Sequence, residues 1–438
     1  MGLLDSLLEW ATGSGGGASC ESCSQSFAQM WAAYSERPGP PPPGDEAYAP
    51  RTEPLPVTVP QPPGERLVAI GDIHGDYHKA ERALRLAGLM DEGGRWAGGR
   101  TVAVQVGDIL DRGDHEIRIL ILLERLAAEA RAAGGQFYLL NGNHETMNVM
   151  GDHRYATPGA NVEVAGWSVW RDFCALMKGR SGCPRPQGAA DPLEERRAAA
   201  AAASSSPQAL AMARARPYNW IRGRAMAPGG ELSRRFFASR STVLQVGGNL
   251  FVHGGVLPAH VEYGLQRIND EAQAWLLGRA GGTDGAYGSA AHATPLFLRG
   301  ASAVVWARAF SASDERRCEC DTLEEVLKAL PGAQRMVVGH TIQTRGINSA
   351  CSDRVVRVDV GMSAGCGDGA VEAMEVLPDG KVLRLREHAP ATPVGPAPPR
   401  HHRPTSAQQH GKEVAAAAGA AAGAAAGGSA AAGSAAAA

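Results

Sequence analysis

The sequence has little cysteine, few aromatic residues, almost no net charge and no long apolar run. Eight cysteines in 438 residues are too few for a disulfide scaffold. A formal net charge of −2 gives no broad attraction for nucleic acid or anionic lipid. No apolar run approaches the roughly 20 residues that cross a bilayer. These absences predict a soluble, cytoplasmic chain with no nucleic-acid partner and no integral membrane segment.

Composition divides the chain into a central part and two ends. Residues 1–63 contain Gly-rich and Pro-rich runs, and residues 389–438 are mostly Pro, Ser, Gly, His and Ala. Such segments bury too little apolar surface to offset the entropy of ordering them. We predict a disordered arm over 1–63, one folded domain over 64–388 and a disordered tail over 389–438. A stretch at about 160–240, with tryptophans and an Ala run, is expected to be a helical insertion.

The N-terminal arm carries two short motifs. Cys20 and Cys23 form a CxxC pair, a pattern of redox and zinc sites, which makes a thiol oxidoreductase a candidate partner. Most of the eight cysteines are expected to be buried, reduced thiols. Gly2 and Ser6 fit the loose N-myristoylation pattern, but no basic residues nearby supply a second anchoring signal. The cytoplasm is therefore the predicted compartment, and the CxxC pair keeps the mitochondrial intermembrane space as the alternative.

Short apolar runs alternate with polar clusters in the central part. The first three are separated by helical stretches, which predicts parallel β-α-β units. Three later apolar runs also end in clusters of polar residues and glycine. The predicted strands are LVAI (67–70), TVAVQV (101–106), QFYLL (136–140), LFV (250–252), MVV (336–338) and VVRVDV (355–360).

Polar clusters at the ends of these runs supply a set of carboxylate, amide and imidazole groups. Each alone fits a turn or a hydrogen-bonded structural histidine, but sheets of this kind place their sites at strand ends. Oxygen and imidazole ligands without thiolate suit Mn, Fe or Zn. An Asp in the middle of the set can bridge two cations ~3.5–4 Å apart. A dinuclear metal site is the prediction.

The motifs GDIHGD, GDILDRG, GNHE, HGG and GHT, in this order, resemble those of the calcineurin-like metallophosphoesterases, in particular the phosphoprotein phosphatase branch. Animal-type Ser/Thr phosphatases carry Arg where this chain has Asn141, and they end in a SAPNY-like segment where it has VDVGMSAGC. The chain is more similar to the plant and algal Shewanella-like protein phosphatases, type 2. The resemblance implies an α/β metallophosphoesterase fold, with a central β-sandwich of two mixed sheets flanked by helices.

The resemblance also implies the metal ligands and the reaction. Asp72 and His74 are assigned as ligands of the first metal, and Asp108 as the ligand that bridges both metals. Asn143, His253 and His340 supply the ligands of the second metal and the remaining ligand positions. The implied enzyme hydrolyses phosphomonoesters by in-line attack of a metal-bridging hydroxide. Manganese is the expected assay metal, with iron or zinc as alternatives.

Four further residues receive hypothetical roles. His144 would protonate the leaving oxygen, Asp111 would hold its imidazole ring, and Arg112 would bind the phosphoryl oxygens. A loop salt bridge is the alternative for Asp111 and Arg112. Arg308 is a candidate second phosphate ligand, with a cation–π or surface role as the alternative.

The expected substrate is a phosphoprotein. Shewanella-like phosphatases are associated with phosphotyrosine, and that resemblance is the ground for predicting the same preference here. A phenol has a pKa of ~10 and needs less help to leave than an aliphatic alcohol. A Ser/Thr protein phosphatase and a dinucleoside polyphosphate hydrolase are the alternatives on the same site. A redox-regulatory module acting through Cys20 and Cys23 is the alternative from another class.

Overall fold

The computed structural model describes residues 54–178, 219–279, 294–312 and 314–396. For residues 169–178 it describes the backbone only. Two six-stranded sheets form its centre. The strands are β1 (Thr58–Val59), β2 (Leu67–Ile70), β3 (Val102–Gln105), β4 (Gln136–Leu139), β5 (Val243–Val246), β6 (Asn249–Val252), β7 (Arg335–Val338), β8 (Asn348–Ala350), β9 (Val355–Arg357), β10 (Glu372–Val376), β11 (Val382–Arg386) and β12 (Ala389–Pro393). Their orders are β1-β5-β6-β7-β9-β8 and β12-β11-β10-β2-β3-β4.

Helices follow most of the central strands. The described helices are α1 (Tyr77–Leu86), α2 (Glu116–Ala132), α3 (Asn143–Val149), α4 (Pro158–Lys178), α5 (helical residues 219–226), α6 (Pro258–Tyr263), α7 (Leu265–Leu276) and α8 (Cys320–Ala329). A π-helical turn covers Ser233–Phe237, and 3-10 turns cover Leu296–Leu298, Glu315–Arg317 and Ala364–Cys366.

Local sequence explains how the first helices begin and pack. The Asp76 side chain accepts a hydrogen bond from the Lys79 N–H at 3.1 Å and so caps α1. In α2, Ile117, Leu120 and Leu123 repeat at helical spacing and are buried. One continuous apolar core includes residues of both sheets and of these helices. The predicted α/β fold, with two mixed sheets flanked by helices, is confirmed.

Strand direction brings the polar clusters to a common edge. In one sheet β2, β3 and β4 run parallel, and in the other β6, β7 and β9 run parallel. Leu140, just after β4, forms an isolated β-bridge with Ser241, just before β5 of the other sheet. Because parallel strands end at the same edge, the loops that follow them can build one site.

The sheets extend past both predicted domain boundaries. β1 lies within the predicted arm and pairs with β5, with Thr58 opposite Gln245. β12 lies within the predicted tail and pairs with β11, with Pro393 opposite Leu383. The boundaries at 63 and 389 are therefore corrected outward. Both are edge strands. β1 has only two residues and β12 has two prolines among five, which explains why composition did not identify them.

Helices cover much of the predicted insertion where it is described, with turns at 227–230 and 238–240. α4 and α5 lie at its two ends, and the buried Trp167 packs against Phe236 with ring centroids 6.1 Å apart. The segment between these helices lies outside the described residues, as do the CxxC pair and Gly2. Within the described ranges, no helix has the length and apolarity needed to cross a membrane.

One disulfide is present among the described cysteines, against the general expectation of reduced thiols. It joins Cys320 to Cys351, 31 positions apart in the sequence. Cys318, which is buried, and Cys366, which is partly buried, are free thiols. The sequence did not predict the pairing, because only the fold brings the start of α8 beside the turn after β8.

Candidate metal centre

Several residues of the strand-end loops have an unusual backbone conformation. His74, Asp108 and His340 have φ values of +47°, +55° and +66°, in the left-handed region that non-glycine residues rarely adopt. The loops support one another, since the backbone N–H of His74 donates to the Asp108 carbonyl at 3.0 Å. Such strain persists only where the surrounding structure holds it, and it concentrates at functional sites.

Asp108 lies at the centre of the side chains that these loops bring together. Its Oδ2 is 3.2 Å from Nε2 of His253, 3.6 Å from Nε2 of His74 and 3.9 Å from Nε2 of His144. The amide Oδ1 of Asn143 is 2.9 Å from Nε2 of His253. Among the residues that the structure describes, two groups have the spacing of a metal site, and both contain Asp108: one with His74 and His144, the other with His253 and His340.

Backbone carbonyls orient two of the histidines toward the centre. His253 Nδ1 donates to the Val106 carbonyl at 3.0 Å, and His74 Nδ1 donates to the Leu110 carbonyl at 2.9 Å. A carbonyl only accepts, so Nδ1 of each ring donates and Nε2 faces Asp108. Burial lowers the pKa of His74 to about 4, whereas at His253 burial is outweighed by nearby carboxylates, Asp108 foremost, which raise its pKa to about 10. Imidazole, carboxylate and amide groups therefore converge, and a bound cation would take the place of the proton that the carboxylates favour on His253.

Two buried atoms support the same conclusion. Asp72 Oδ1 and His340 Nε2 have no hydrogen-bond partner among the described residues. The other Asp72 oxygen accepts from the His340 backbone N–H at 3.0 Å. Buried polar atoms are seldom left unpaired, and a carboxylate oxygen and an imidazole nitrogen are both atoms of the kind that bind metal ions. Asp72 belongs to neither of the two closely spaced groups, so the geometry supports its ligand role less directly than that of Asp108.

The centre also concentrates buried negative charge. Burial raises the pKa of Asp72 well above its ordinary value, and Asp359 and Asp108 raise it further. Asp359 is itself 3% exposed, and burial, with Asp108 adding, raises its pKa to about 6. Bound cations would relieve this crowding. Sequence reasoning missed Asp359, although its position just after a buried strand was the available signal.

Two glycines allow backbone to approach these carboxylates. A Cβ on Gly142 would clash with Oδ1 of Asp108, and a Cβ on Gly339 would clash with Oδ1 of Asp72. Glycine at these positions therefore permits the strand-end loops to close around the centre.

Glu145, the last residue of GNHE, holds the Asp108 loop. Its carboxylate accepts backbone N–H bonds from Asp108 at 2.9 Å, Ile109 at 2.8 Å, Leu110 at 3.2 Å and Gly142 at 2.7 Å. The carboxylate thus ties the loop after β3 to the start of α3. The motif contained this residue, but its supporting role required the folded geometry.

His144 and Asp111 form a buried pair beside the centre. His144 Nδ1 donates to Asp111 Oδ2 at 2.6 Å. Burial lowers the pKa of His144, but Asp108 and Asp111 raise it by more, so the net pKa is raised. The ion-pair partners of Asp111 in the described chain are His144 and Arg222 rather than Arg112.

Arg112 and Arg308 lie on different loops of the site. Arg112 Nη2 is 3.5 Å from His144 Nε2, and the guanidinium lies 5.1 Å from the ring centroid of Tyr155. Tyr155 is 43% exposed, and its ring centroid is 5.2 Å from that of His144. Arg308 Nη1 donates to the His340 carbonyl at 3.2 Å and to Thr341 Oγ1 at 2.7 Å. The sequence did not indicate a role for Tyr155.

Comparisons with known proteins agree with this architecture. Residues 65–248 match the family described as calcineurin-like phosphoesterase. The chain is 43% identical over 320 residues to Shewanella-like protein phosphatase 2 of Arabidopsis thaliana, a match that covers 73% of this chain and 76% of the relative. An uncharacterised protein of Schizosaccharomyces pombe is 26% identical over 336 residues, covering 72% and 82% of the two chains. The cold-active protein-tyrosine phosphatase of a psychrophilic Shewanella has a similar fold, with a TM-score of 0.52, 21% identity and coverage of 78% and 82%.

Proposed function

This chain belongs to the Shewanella-like protein phosphatases, within the calcineurin-like phosphoesterases, and from that premise we propose a metal-dependent phosphoprotein phosphatase that prefers phosphotyrosine. The enzyme class follows from family membership and from the His and Asp groups of the centre. The preference is the finer proposal. Tyr155, whose ring lies beside His144, is the observation that carries it.

The proposed metal ligands are the residues that the sequence indicated. Asp108 would bridge two ions, with the remaining ligands supplied by Asp72, His74, Asn143, His253 and His340. The nitrogen and oxygen donors, without thiolate, suit manganese, iron or zinc, and we propose manganese as the assay metal. When bound, two such ions supply Lewis-acid activation of water and neutralise phosphoryl charge.

The chain's own residues account for the other parts of the reaction. Arg112 is proposed to bind the phosphoryl oxygens through its planar fork. Arg308 is proposed to bind them from the segment between the Leu296–Leu298 turn and α8, where it donates to the loop after β7. His144 is proposed to donate a proton to the leaving oxygen from Nε2, because Nδ1 is held by Asp111. Arg112 Nη2 lies 3.5 Å from His144 Nε2, which supports the proposal that both side chains act on the same phosphate ester.

Tyr155 would select the leaving group. The oxygen that His144 protonates must lie close to the imidazole, and Tyr155 presents a 43% exposed aromatic ring 5.2 Å from that imidazole. A tyrosyl leaving group could stack on this ring, whereas a seryl or threonyl group has no aromatic surface to offer. An aromatic pair contributes about 0.5–1.5 kcal/mol, up to roughly a tenfold preference.

A phosphopeptide panel tests the proposal. Wild type, Tyr155→Ala and the control Tyr263→Ala are assayed with manganese on phosphotyrosine and phosphothreonine versions of one peptide. Tyr263 is also exposed, but its ring packs on Phe297, away from the centre. We expect Tyr155→Ala to lose about 3–10-fold in kcat/KM on phosphotyrosine only, as loss of an aromatic pair requires.

Two outcomes favour the alternative functions. Equal or higher activity on phosphothreonine would indicate a Ser/Thr protein phosphatase at the same centre. Nucleotide release from a dinucleoside polyphosphate, with weak activity on every phosphopeptide, would indicate a dinucleotide hydrolase.

A further inference from the structure

A fully buried arginine lies behind the proposed general acid. Arg222, on α5, has 0% of its surface exposed. Its Nη1 and Nη2 donate to the two oxygens of Glu116 at 2.6 and 2.9 Å. Nη2 also donates to Asp111 Oδ1 at 3.3 Å, and Nε donates to Asn148 Oδ1 at 2.8 Å. The guanidinium thus holds three polar side chains at once.

All three of these partners contact the Asp111–His144 pair or belong to it. Asn148 Nδ2 donates to Asp111 Oδ2 at 3.1 Å and to the His144 carbonyl at 2.9 Å. Glu116 Oε1 accepts from the Asp111 backbone N–H at 2.6 Å. The network therefore fixes Asp111 through its backbone and through both carboxylate oxygens.

The buried carboxylates around Arg222 account for a positive charge at this position. Asp111 and Glu116 are both 0% exposed, and buried carboxylates are costly unless they are paired. The single positive charge of Arg222 offsets one of the two negative charges. The other oxygen of Asp111 is then available to His144, whose Nδ1 donates to Oδ2 at 2.6 Å.

We propose that Arg222 is a positioning residue for catalysis. It holds the Asp111 carboxylate in the plane that lets Oδ2 accept from His144 Nδ1, and so it directs His144 Nε2 toward the leaving oxygen. The inference rests on the proposed role of His144. It also makes α5, in the C-terminal part of the predicted insertion, a support of the acid machinery, although Arg222 itself is fully buried.

Lysine cannot replace this arginine. The guanidinium uses three nitrogens in a rigid plane to reach Glu116, Asp111 and Asn148 together, whereas an ammonium is a single point on a flexible stem. Arg222→Lys therefore keeps the buried positive charge and removes the fixed geometry. Arg224→Lys is the matched control, because Arg224 lies on the same helix and is exposed.

Leaving-group dependence separates positioning of the acid from a general structural role. Phenyl phosphate releases a basic phenolate and needs a proton, whereas 2,4-dinitrophenyl phosphate releases a weakly basic phenolate that departs unaided. We expect Arg222→Lys to lower kcat on phenyl phosphate about 10–100-fold, a part of the ~10²–10⁴ that general acids contribute. On the dinitrophenyl ester we expect less than about a threefold loss, and no change for Arg224→Lys on either ester.

A double mutant completes the test. If Arg222 acts through His144, Arg222→Lys in a His144→Asn background lowers kcat on phenyl phosphate no further than His144→Asn alone. Equal losses on both esters, or losses that multiply in the double mutant, would overturn the proposal. Arg222→Gln is measured in parallel. If Arg222→Lys and Arg222→Gln both fail to fold, the role of Arg222 is to stabilise the protein, and the proposal is overturned. A wild type inactive on both esters would instead contradict the proposed function.

Discussion

His144 Nδ1 lies 2.6 Å from Asp111 Oδ2, and both side chains are buried at the edge of the metal centre. The carboxylate leaves the other ring nitrogen free to face substrate and favours the charged ring. This pair distinguishes the proposed acid from the histidines whose Nδ1 atoms donate to backbone carbonyls. Those carbonyls fix the ring orientation so that Nε2 faces the centre, as in a metal-ligating histidine.

Replacing the proposed acid tests its role directly. His144→Asn should lower kcat on phenyl phosphate by about 100-fold or more, the scale of a lost general acid. Metal content, measured by elemental analysis, should stay at the wild-type level because the backbone N–H that donates to Asp108 is retained. Unchanged turnover would remove His144 from the mechanism.

Asp108 should be required for metal. Asp108→Asn removes the charge that both candidate groups share, so we expect metal affinity to fall by more than the ~10–100-fold typical of residues that only support a ligand. Elemental analysis after dialysis gives the metal content. Asp270→Asn, at an exposed position of α7, is the control and should keep its metal. A fully loaded Asp108→Asn protein would contradict the bridging assignment.

The pH profile of kcat should report the charged form of His144. Burial lowers its pKa, Asp108 and Asp111 raise it, and the net pKa is raised. An acid acts in its protonated form, so activity on phenyl phosphate is present below this pKa and falls as pH rises through it. Asp111→Asn removes one of the raising charges and should move this alkaline limb to lower pH. A limb at the same pH in wild type and variant would exclude His144 as its origin.

The disulfide should contribute to stability. Joining Cys320 to Cys351 closes a loop of 31 positions, for which chain entropy gives about 3–4 kcal/mol. The double variant Cys320→Ser, Cys351→Ser should therefore unfold at lower urea concentration, followed by circular dichroism. Cys366→Ser, which alters a free thiol, should unfold like wild type. Wild type treated with dithiothreitol should unfold at the same urea concentration as the double variant. If it unfolds at the same concentration as untreated wild type, the result argues against the disulfide.

Much of the centre could be predicted from the sequence because its parts are local. Asp72, Asp108 and His340 each follow a short apolar run within one or two residues, and each run is a buried parallel strand. Strand alternation and the shared edge of parallel strands were enough to predict that these side chains meet. The short edge strands beyond the predicted boundaries carried no such pattern, since an edge strand needs little apolar surface.

The sequence by itself determined the family, the central strands and the set of metal-ligand candidates, because motif chemistry and apolar periodicity are encoded within a few neighbouring residues. Only the tertiary structure decided the partners of those residues. Arg222 lies 111 positions from Asp111, Tyr155 stands in a segment with no distinctive composition, and Asp359 stands at the end of a predicted strand with nothing in the sequence to show which carboxylates it faces. Their significance comes from burial, charge and distance to the centre, which exist only after the loops of both sheets have met.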